Sequence, residues 1–330
     1  MKETFNLLCQ GHNLSEAEAY SLFQNICQGN LNPSQISAIM TFYIARPITV
    51  QELIGFKNAL LDLCVPVKID RDAIDVCGTG GDQKNTFNIS TLSALVIAAS
   101  GATVAKHGNY GSSSVSGSSD ILNYLGYQFK NNSDDLNKEL DKHNICFMHA
   151  PLFHPALKGV ATQRKELGVR TLFNMLGPLV NPAKVKYRYI GVYGLDIARM
   201  YHYILQQSHS KYTIVHSIDG YDEVSLTDSF KYITTSTEKM IEPIDLGFNF
   251  QSQQSISGGE SIKESADIFL NVLKNECTIE QKNVVTINSA LALNCYNDQL
   301  SIADCIGICK ESIESKKTYT LFKNLISNQN

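Results

Sequence analysis

From Ala73 onward, short apolar runs alternate with Gly-rich turns and helical stretches. Parallel strands joined by helical crossovers satisfy that order, and few other architectures do. Strand and helix alternate over residues 73–77, 92–100, 103–106 and 121–125. A strand at 145–148, a helix over 155–167, a strand at 189–193, a helix over about 197–207 and a strand at 213–216 follow. From about residue 261 the pattern reads as helix, strand and helix. Ligands of such sheets gather at the carboxyl ends of the strands, so the loops there carry the search for function.

The chain before Ala73 has a different character. Ser15 and Glu18 form a capping box ahead of Ala19, Leu22, Phe23 and Ile26. Asn32-Pro33 opens a second helix, and Thr49 with Glu52 caps a third that runs to Pro66. The expected organisation is therefore α/β, with a small helical domain over 1–66 and a larger domain over 67–330 built on a mainly parallel sheet. At 330 residues, two lobes are the reasonable division.

Composition removes several function classes. With 43% hydrophobic and 18% charged residues, the chain is an ordinary globular protein. A net charge of −4 supplies no field for a polyanion, so nucleic acid is not an expected partner. Nine cysteines without a CxxC pair match neither a disulfide framework nor a zinc site. The first residues contain no apolar signal region, and the longest apolar stretch, around 94–105, is broken by Ser100, Gly101 and Thr103. A cytoplasmic protein that does not enter the membrane is expected.

Three loops at predicted strand ends have the composition of anion or metal sites. The first is Cys77-Gly78-Thr79-Gly80-Gly81-Asp82, followed by Thr86, Phe87 and Asn88-Ile89-Ser90-Thr91 at a helix start. Glycines admit phosphate oxygens to backbone N–H groups, and the helix N-terminus adds roughly half a positive charge. A plain tight turn capped by Asn88 or Ser90 is the structural alternative, against which the hydroxyl-rich run argues for a diphosphate. The second loop, Lys106-His107-Gly108-Asn109-Tyr110-Gly111 continuing through Ser113, Ser114 and Ser118, brings a cation, an imidazole and many donors to a second phosphate and a ribose. The third holds Asp222-Glu223, adjacent carboxylates suited to one or two hydrated Mg²⁺ ions that a diphosphate completes. A fourth cluster, His154-Pro155 with Lys158, Arg164, Arg170, Asn174, Gly177, Pro178 and Asn181, offers an arginine fork for the carboxylate of an aromatic acceptor, although helical periodicity alone favours a surface charge at Arg164.

In order and spacing, GTGGD at Gly78–Asp82, NIST at Asn88–Thr91, KHGN at Lys106–Asn109, SGSSD at Ser116–Asp120, the His154 to Pro182 stretch and Asp222-Glu223 resemble the anthranilate phosphoribosyltransferase family over nearly the whole chain. The resemblance implies a nucleoside-phosphorylase-like architecture, a helical domain completed by helices within about 150–185, and a homodimer. It implies that Gly78, Gly81, Asp82, Thr86, Asn88, Ile89, Ser90 and Thr91 hold 5-phosphoribosyl 1-diphosphate together with Lys106, Asn109, Ser113, Ser114 and Ser118. Ser90, Asp222 and Glu223 serve Mg²⁺, and Gly78, His107, Asn109, His154, Arg164, Gly177 and Pro178 line the anthranilate path. His107, Arg164 and Lys106 are the implied catalytic residues. Tyr110 departs from the family, which often has Arg there. The rivals are a pyrimidine nucleoside phosphorylase, which has little need for Asp222-Glu223, and a non-catalytic nucleic-acid-binding paralogue.

Overall fold

Local capping chemistry fixes the first helices. The structure, a computed structural model, describes residues 2–111 and 115–327. Helix α1 (Lys2–Cys9) precedes α2 (Glu16–Cys27), α3 (Pro33–Ala45) and α4 (Val50–Asp62). Each of the last three starts on a complete capping box: Ser15 with Glu18, Asn32 with Gln35, Thr49 with Glu52. Such caps are worth about 1 kcal/mol each. Glu52 is fully buried, where Arg46 meets it from 2.5 Å and Tyr43 and the Leu14 N–H complete its hydrogen bonds. This carboxylate is structural.

The alternating stretch then forms β1 (Ile74–Gly78), α5 (Ile89–Ala99), β2 (Val104–Gly108), α6 (Ser118–Tyr124), α7 (Ser133–His143) and β3 (Ile145–His149). Short helices α8 (Ala150–Phe153) and α9 (Ala161–Leu167) follow, with a 3₁₀ turn at Pro155–Val160 between them. The single helix expected over 155–167 is thus two pieces. Pro155 sits at the first position of the 3₁₀ turn, and Gly168 in a left-handed conformation ends α9. Strand β4 (Tyr187–Gly191) starts two residues earlier than expected, and α10 (Leu195–Gln206), β5 (Lys211–Ser217), β6 (Phe230–Thr234) and β7 (Glu238–Ile241) complete the sheet. From residue 261 there is no strand. That region is α11 (Ile262–Lys274), α12 (Ile279–Tyr296), α13 (Ile302–Glu314) and α14 (Lys317–Ser327). The Val284-Val285-Thr286-Ile287 run favours a strand by propensity, but α12 is buried around most of its circumference and packing overrides the preference.

By contacts the chain forms two compact units, Met1–Pro66 with Ala150–Lys184 and Val67–His149 with Val185–Asn330. The second is α/β. Its seven-stranded sheet has the order β3-β2-β1-β4-β5-β6-β7, parallel from β3 to β5 and antiparallel at the β6 and β7 edge. The apolar stretch around 94–105 joins the second half of α5 to the start of β2 through a turn at 100–103, and α5 is buried almost all round against β1, β2, α12 and α14. A helix apolar on every face belongs to a core, which accounts for its composition. Among the described residues no helix is long and apolar enough to cross a membrane. All nine cysteines are free.

Candidate active site

β1 and β4 are paired in parallel register, with Gly78 beside Gly191, so the loops leaving both strands emerge at one sheet end. The loop after β1 is conformationally unusual. Gly80 and Gly81 have φ of 65° and 76°, and Gln83 and Asn85, which carry side chains, adopt 63° and 48°. Left-handed backbone in non-glycine residues persists only where the surroundings impose it.

The Asp222-Glu223 turn, which follows β5, reaches into this loop. Asp222 Oδ2 accepts from the Gly80 N–H at 2.6 Å, and Glu223 Oε1 accepts from the Ser90 N–H at 2.9 Å. A Cβ on Gly78 would collide with the Asp222 carboxylate, and one on Gly191 with the Asp222 backbone carbonyl. Those two glycines are required because the acidic turn passes against them. Asn88 makes no side-chain cap. Its Nδ2 donates to Ser116 O at 3.0 Å, tying the first loop to the second. The cap that the plain-turn alternative would place on Asn88 or Ser90 is not formed from either side chain: Glu223, 133 residues away, accepts from the Ser90 N–H at the positive end of α5.

Several buried oxygens of this region have no hydrogen-bond partner: Glu223 Oε2, Asp82 Oδ2, Asn88 Oδ1, Thr79 Oγ1 and Thr91 Oγ1. Buried polar atoms are otherwise paired in nearly all cases, so a group of orphans at one helix start marks a place for a ligand. Burial, and next the Asp82 carboxylate, push the Asp222 carboxyl up to about 8. Burial, then Asp222 and Asp82, push Glu223 well above the usual carboxylate range. A divalent cation between these oxygens would relieve both the repulsion and the missing bonds, so the residues fit the expected metal. Among the described residues no three His, Cys, Asp or Glu side chains form a metal cluster by themselves. A cation held by Asp222 and Glu223 would take its remaining ligands from water and substrate oxygens.

A pH dependence follows. With raised folded pKa values, these carboxylates bind more protons folded than unfolded, so the metal-free protein loses stability as pH rises from the ordinary carboxylate range through about 8. His143 and His149, both held low by burial, contribute with the opposite sign only up to the ordinary imidazole range, so they offset part of the loss in the lower part of that window and little above it. The melting temperature should therefore fall between pH 6.5 and 8.5, and Mg²⁺ should restore more at pH 8.5. A wild-type slope retained in full by Asp222→Asn would contradict the assignment.

Lys106 is buried. Its Nζ donates to Val76 O and, at 3.4 Å, to Ser90 Oγ, beneath the start of α5. His107 is also buried, its N–H bonded to Asp75 Oδ1 at 3.0 Å. In the second loop Asp120 Oδ2 accepts from the Gly111 and Gly117 N–H groups, and Ser118 Oγ donates to Asn109 O. Ser113 and Ser114 lie outside the described residues. Tyr110, half exposed, packs edge-on against His149 with ring centroids 4.6 Å apart, and His149 stacks on Phe129 at 5.0 Å between centroids and bonds Ser119 Oγ at 2.8 Å. An aromatic contact thus stands where a cation is common in the family.

Of the remaining expected residues, Thr86 forms an isolated bridge with Ser257, and Ile89 is core. His154, Arg164, Gly177 and Pro178 belong to the helical unit. Its His154 is buried with Nε2 3.0 Å from Val180 O, and Gly177 and Pro178 form a 3₁₀ turn. The Arg164 guanidinium lies 5.1 Å over the Phe173 ring, its pKa lowered by burial. Sequence reasoning missed Gly191, Asn85 and the segment around Gly258. Asn85 donates to Gly259 O and accepts the Gly258 N–H on its carbonyl. Only the two adjacent glycines at 258 and 259 signalled a close approach.

Comparison with known proteins agrees with this geometry. Residues 2–64 match the glycosyl transferase family helical bundle domain and residues 70–319 its a/b domain. A Cytophaga hutchinsonii anthranilate phosphoribosyltransferase is 46% identical over 99% of this chain and 100% of its own length. The Thermus thermophilus anthranilate phosphoribosyltransferase structure is similar at TM-score 0.90 and 28% identity, covering 98% of each chain. The Saccharomyces cerevisiae enzyme, solved in complex with PRPP and Mg, gives 0.89 and 26%, covering 99% of this chain and 97% of its own. Sequence, fold and the meeting of the glycine loop with the acidic turn agree: the chain belongs to the anthranilate phosphoribosyltransferase family, within the glycosyl transferases.

Proposed function

We propose that this chain binds 5-phosphoribosyl 1-diphosphate and Mg²⁺ between the Gly78–Ser90 loop and the Asp222-Glu223 turn, and passes the phosphoribosyl group to the amine of anthranilate. The observation that carries this reading is Glu223 capping α5 with its second oxygen unpartnered, beside the Gly80 N–H to Asp222 bond. The yeast relative solved with PRPP and Mg supports it.

The amine lone pair forms a bond to C1 as the C1–O bond breaks, its electrons leave on diphosphate, and the amine gives up a proton. Asp222 and Glu223, with Ser90 beside them, would hold Mg²⁺, which when bound would supply positive charge to the departing diphosphate. Backbone N–H groups of the loop and of the second loop orient phosphate and ribose, and such alignment can lower a barrier by as much as about 7–11 kcal/mol. Lys106 steadies Ser90 and Glu223 from below. Gly78, Gly81, Asp82, Thr86, Asn88, Thr91, Asn109 and Ser118 are the donor-side residues in this reading. His107 is the proton acceptor, and an aniline nitrogen, unprotonated at neutral pH, makes only a weak demand on it. The same reading makes the protein a cytoplasmic homodimer, which light scattering of the purified chain tests for mass.

Mixing the protein with Mg²⁺, the ribosyl diphosphate and anthranilate should quench anthranilate fluorescence as diphosphate appears. No quenching with all three present, or phosphorolysis of uridine without Mg²⁺, would contradict the proposal. Arg164→Ala, which removes the partner proposed for the acceptor carboxylate, should raise the anthranilate KM by roughly 10- to 100-fold, in line with a charged hydrogen bond. The donor KM should change little. Equal increases for both substrates would count against that role.

A further inference from the structure

The turn that carries Asp222 and Glu223 is held by groups with no part in the chemistry above. Asn288, on α12, is 1% exposed. Its Oδ1 accepts from the Val224 N–H at 3.0 Å and from Tyr189 Oη at 2.8 Å. Its Nδ2 donates to Val224 O and Val284 O, both at 2.8 Å. A side-chain amide has two donor protons and two acceptor lone pairs, so its capacity is full. The orientation is fixed too, since exchanging O and N would set NH₂ against the Val224 N–H.

On the other flank Ser217 Oγ donates to Glu223 O at 2.7 Å and accepts from the Ser225 N–H at 3.1 Å. Two residues beyond Val224, buried Leu226 adopts φ of 59°, a left-handed conformation that a bulky side chain takes only when surroundings dictate it. Asp222 is buried, and Glu223 beside it keeps one buried oxygen without a partner, so without restraint the turn would relax toward water.

We propose that Asn288, assisted by Ser217, is a positioning residue that holds the Asp222-Glu223 turn in its metal-binding geometry by pinning the backbone from the Glu223 carbonyl through Val224 to the Ser225 N–H, immediately after the two carboxylates. This rests on the metal site proposed above. A turn ordered in advance spares the cation the cost of ordering it, so loss of the clamp weakens metal binding more than it slows the loaded enzyme. The bonds of both residues go to protein groups outside the donor and acceptor sites proposed above.

The test uses Asn288→Ala, Ser217→Ala and Tyr189→Phe, the last removing one bond to Asn288 while leaving both Val224 bonds. Two quantities are read: the Mg²⁺ concentration for half-maximal activity, and that for half of the Mg²⁺-induced rise in melting temperature with inorganic diphosphate present. For Asn288→Ala both should rise by about tenfold or more, and for Ser217→Ala by about threefold, the scale of lost buried hydrogen bonds. The kcat at saturating Mg²⁺ should stay within about threefold, and Tyr189→Phe should remain near wild type. Lowered melting temperatures with unchanged Mg²⁺ dependence would make the clamp purely structural and overturn the proposal. Should Asn288→Ala not fold, Ser217→Ala decides by the same readings. If Asp222→Asn also leaves Mg²⁺ dependence untouched, the metal site itself fails. If only the clamp variants do so, the clamp alone fails.

Discussion

Replacing Asp222 by Asn and Glu223 by Gln together should lower Mg²⁺-dependent turnover by about a thousandfold or more, the several kcal/mol that charge stabilisation of a leaving group supplies. The circular dichroism spectrum should remain native. Asn and Gln retain oxygens able to accept from the Gly80 and Ser90 N–H groups, so the hydrogen bonds at 2.6 and 2.9 Å survive while the charge is lost. Two buried, mutually repelling carboxylates are removed, so the melting temperature of the metal-free variant at pH 8.5 should equal or exceed that of the wild type. Full activity in the variant would remove the metal from the account.

Gly191→Ala should leave little folded protein. The added methyl lands on the backbone carbonyl of Asp222, and backbone on both sides is fixed, by the β1–β4 register and by the Thr79 N–H to Gly191 O bond at 2.9 Å. Clashes of that kind fall in the exceptional class of single substitutions, above about 4 kcal/mol. Gly78→Ala should behave differently, because its methyl meets the end of the Asp222 side chain, which can turn away. We expect a folded protein, within about 1–2 kcal/mol of the wild type, with strongly impaired Mg²⁺-dependent activity. Urea unfolding midpoints and Mg²⁺ titrations of both variants check the contrast, and wild-type stability of Gly191→Ala would contradict the close passage.

What could be read from the sequence follows from how far apart the interacting groups lie. The capping boxes at Ser15, Asn32 and Thr49 join residues three apart, and all three helices start where that pattern puts them. The cap of α5 could not be read this way. Asn88 has the right chemistry at the right place, yet its amide goes to Ser116 and the capping oxygen comes from Glu223. The strand expected after residue 261 failed because a helix buried on all sides loses its amphipathic period, and the β-branched residues of α12 then resemble a strand. Tyr110 was visible only as a departure, since its partner His149 lies at the end of the neighbouring strand. The glycine loop and the acidic pair were legible as compositions, and their meeting followed from strand order in a parallel sheet. The necessity of Gly191 and the clamp by Asn288 were not, being properties of the folded turn.

The most direct measurement is a crystal structure with the ribosyl diphosphate and Mn²⁺ in place of Mg²⁺, the cation located by its anomalous signal. The account predicts one or more Mn²⁺ peaks against Asp222 or Glu223, with the diphosphate over Gly80 and Gly81 at the start of α5. Donor bound at another face, or Mn²⁺ found only away from the acidic turn, would contradict it.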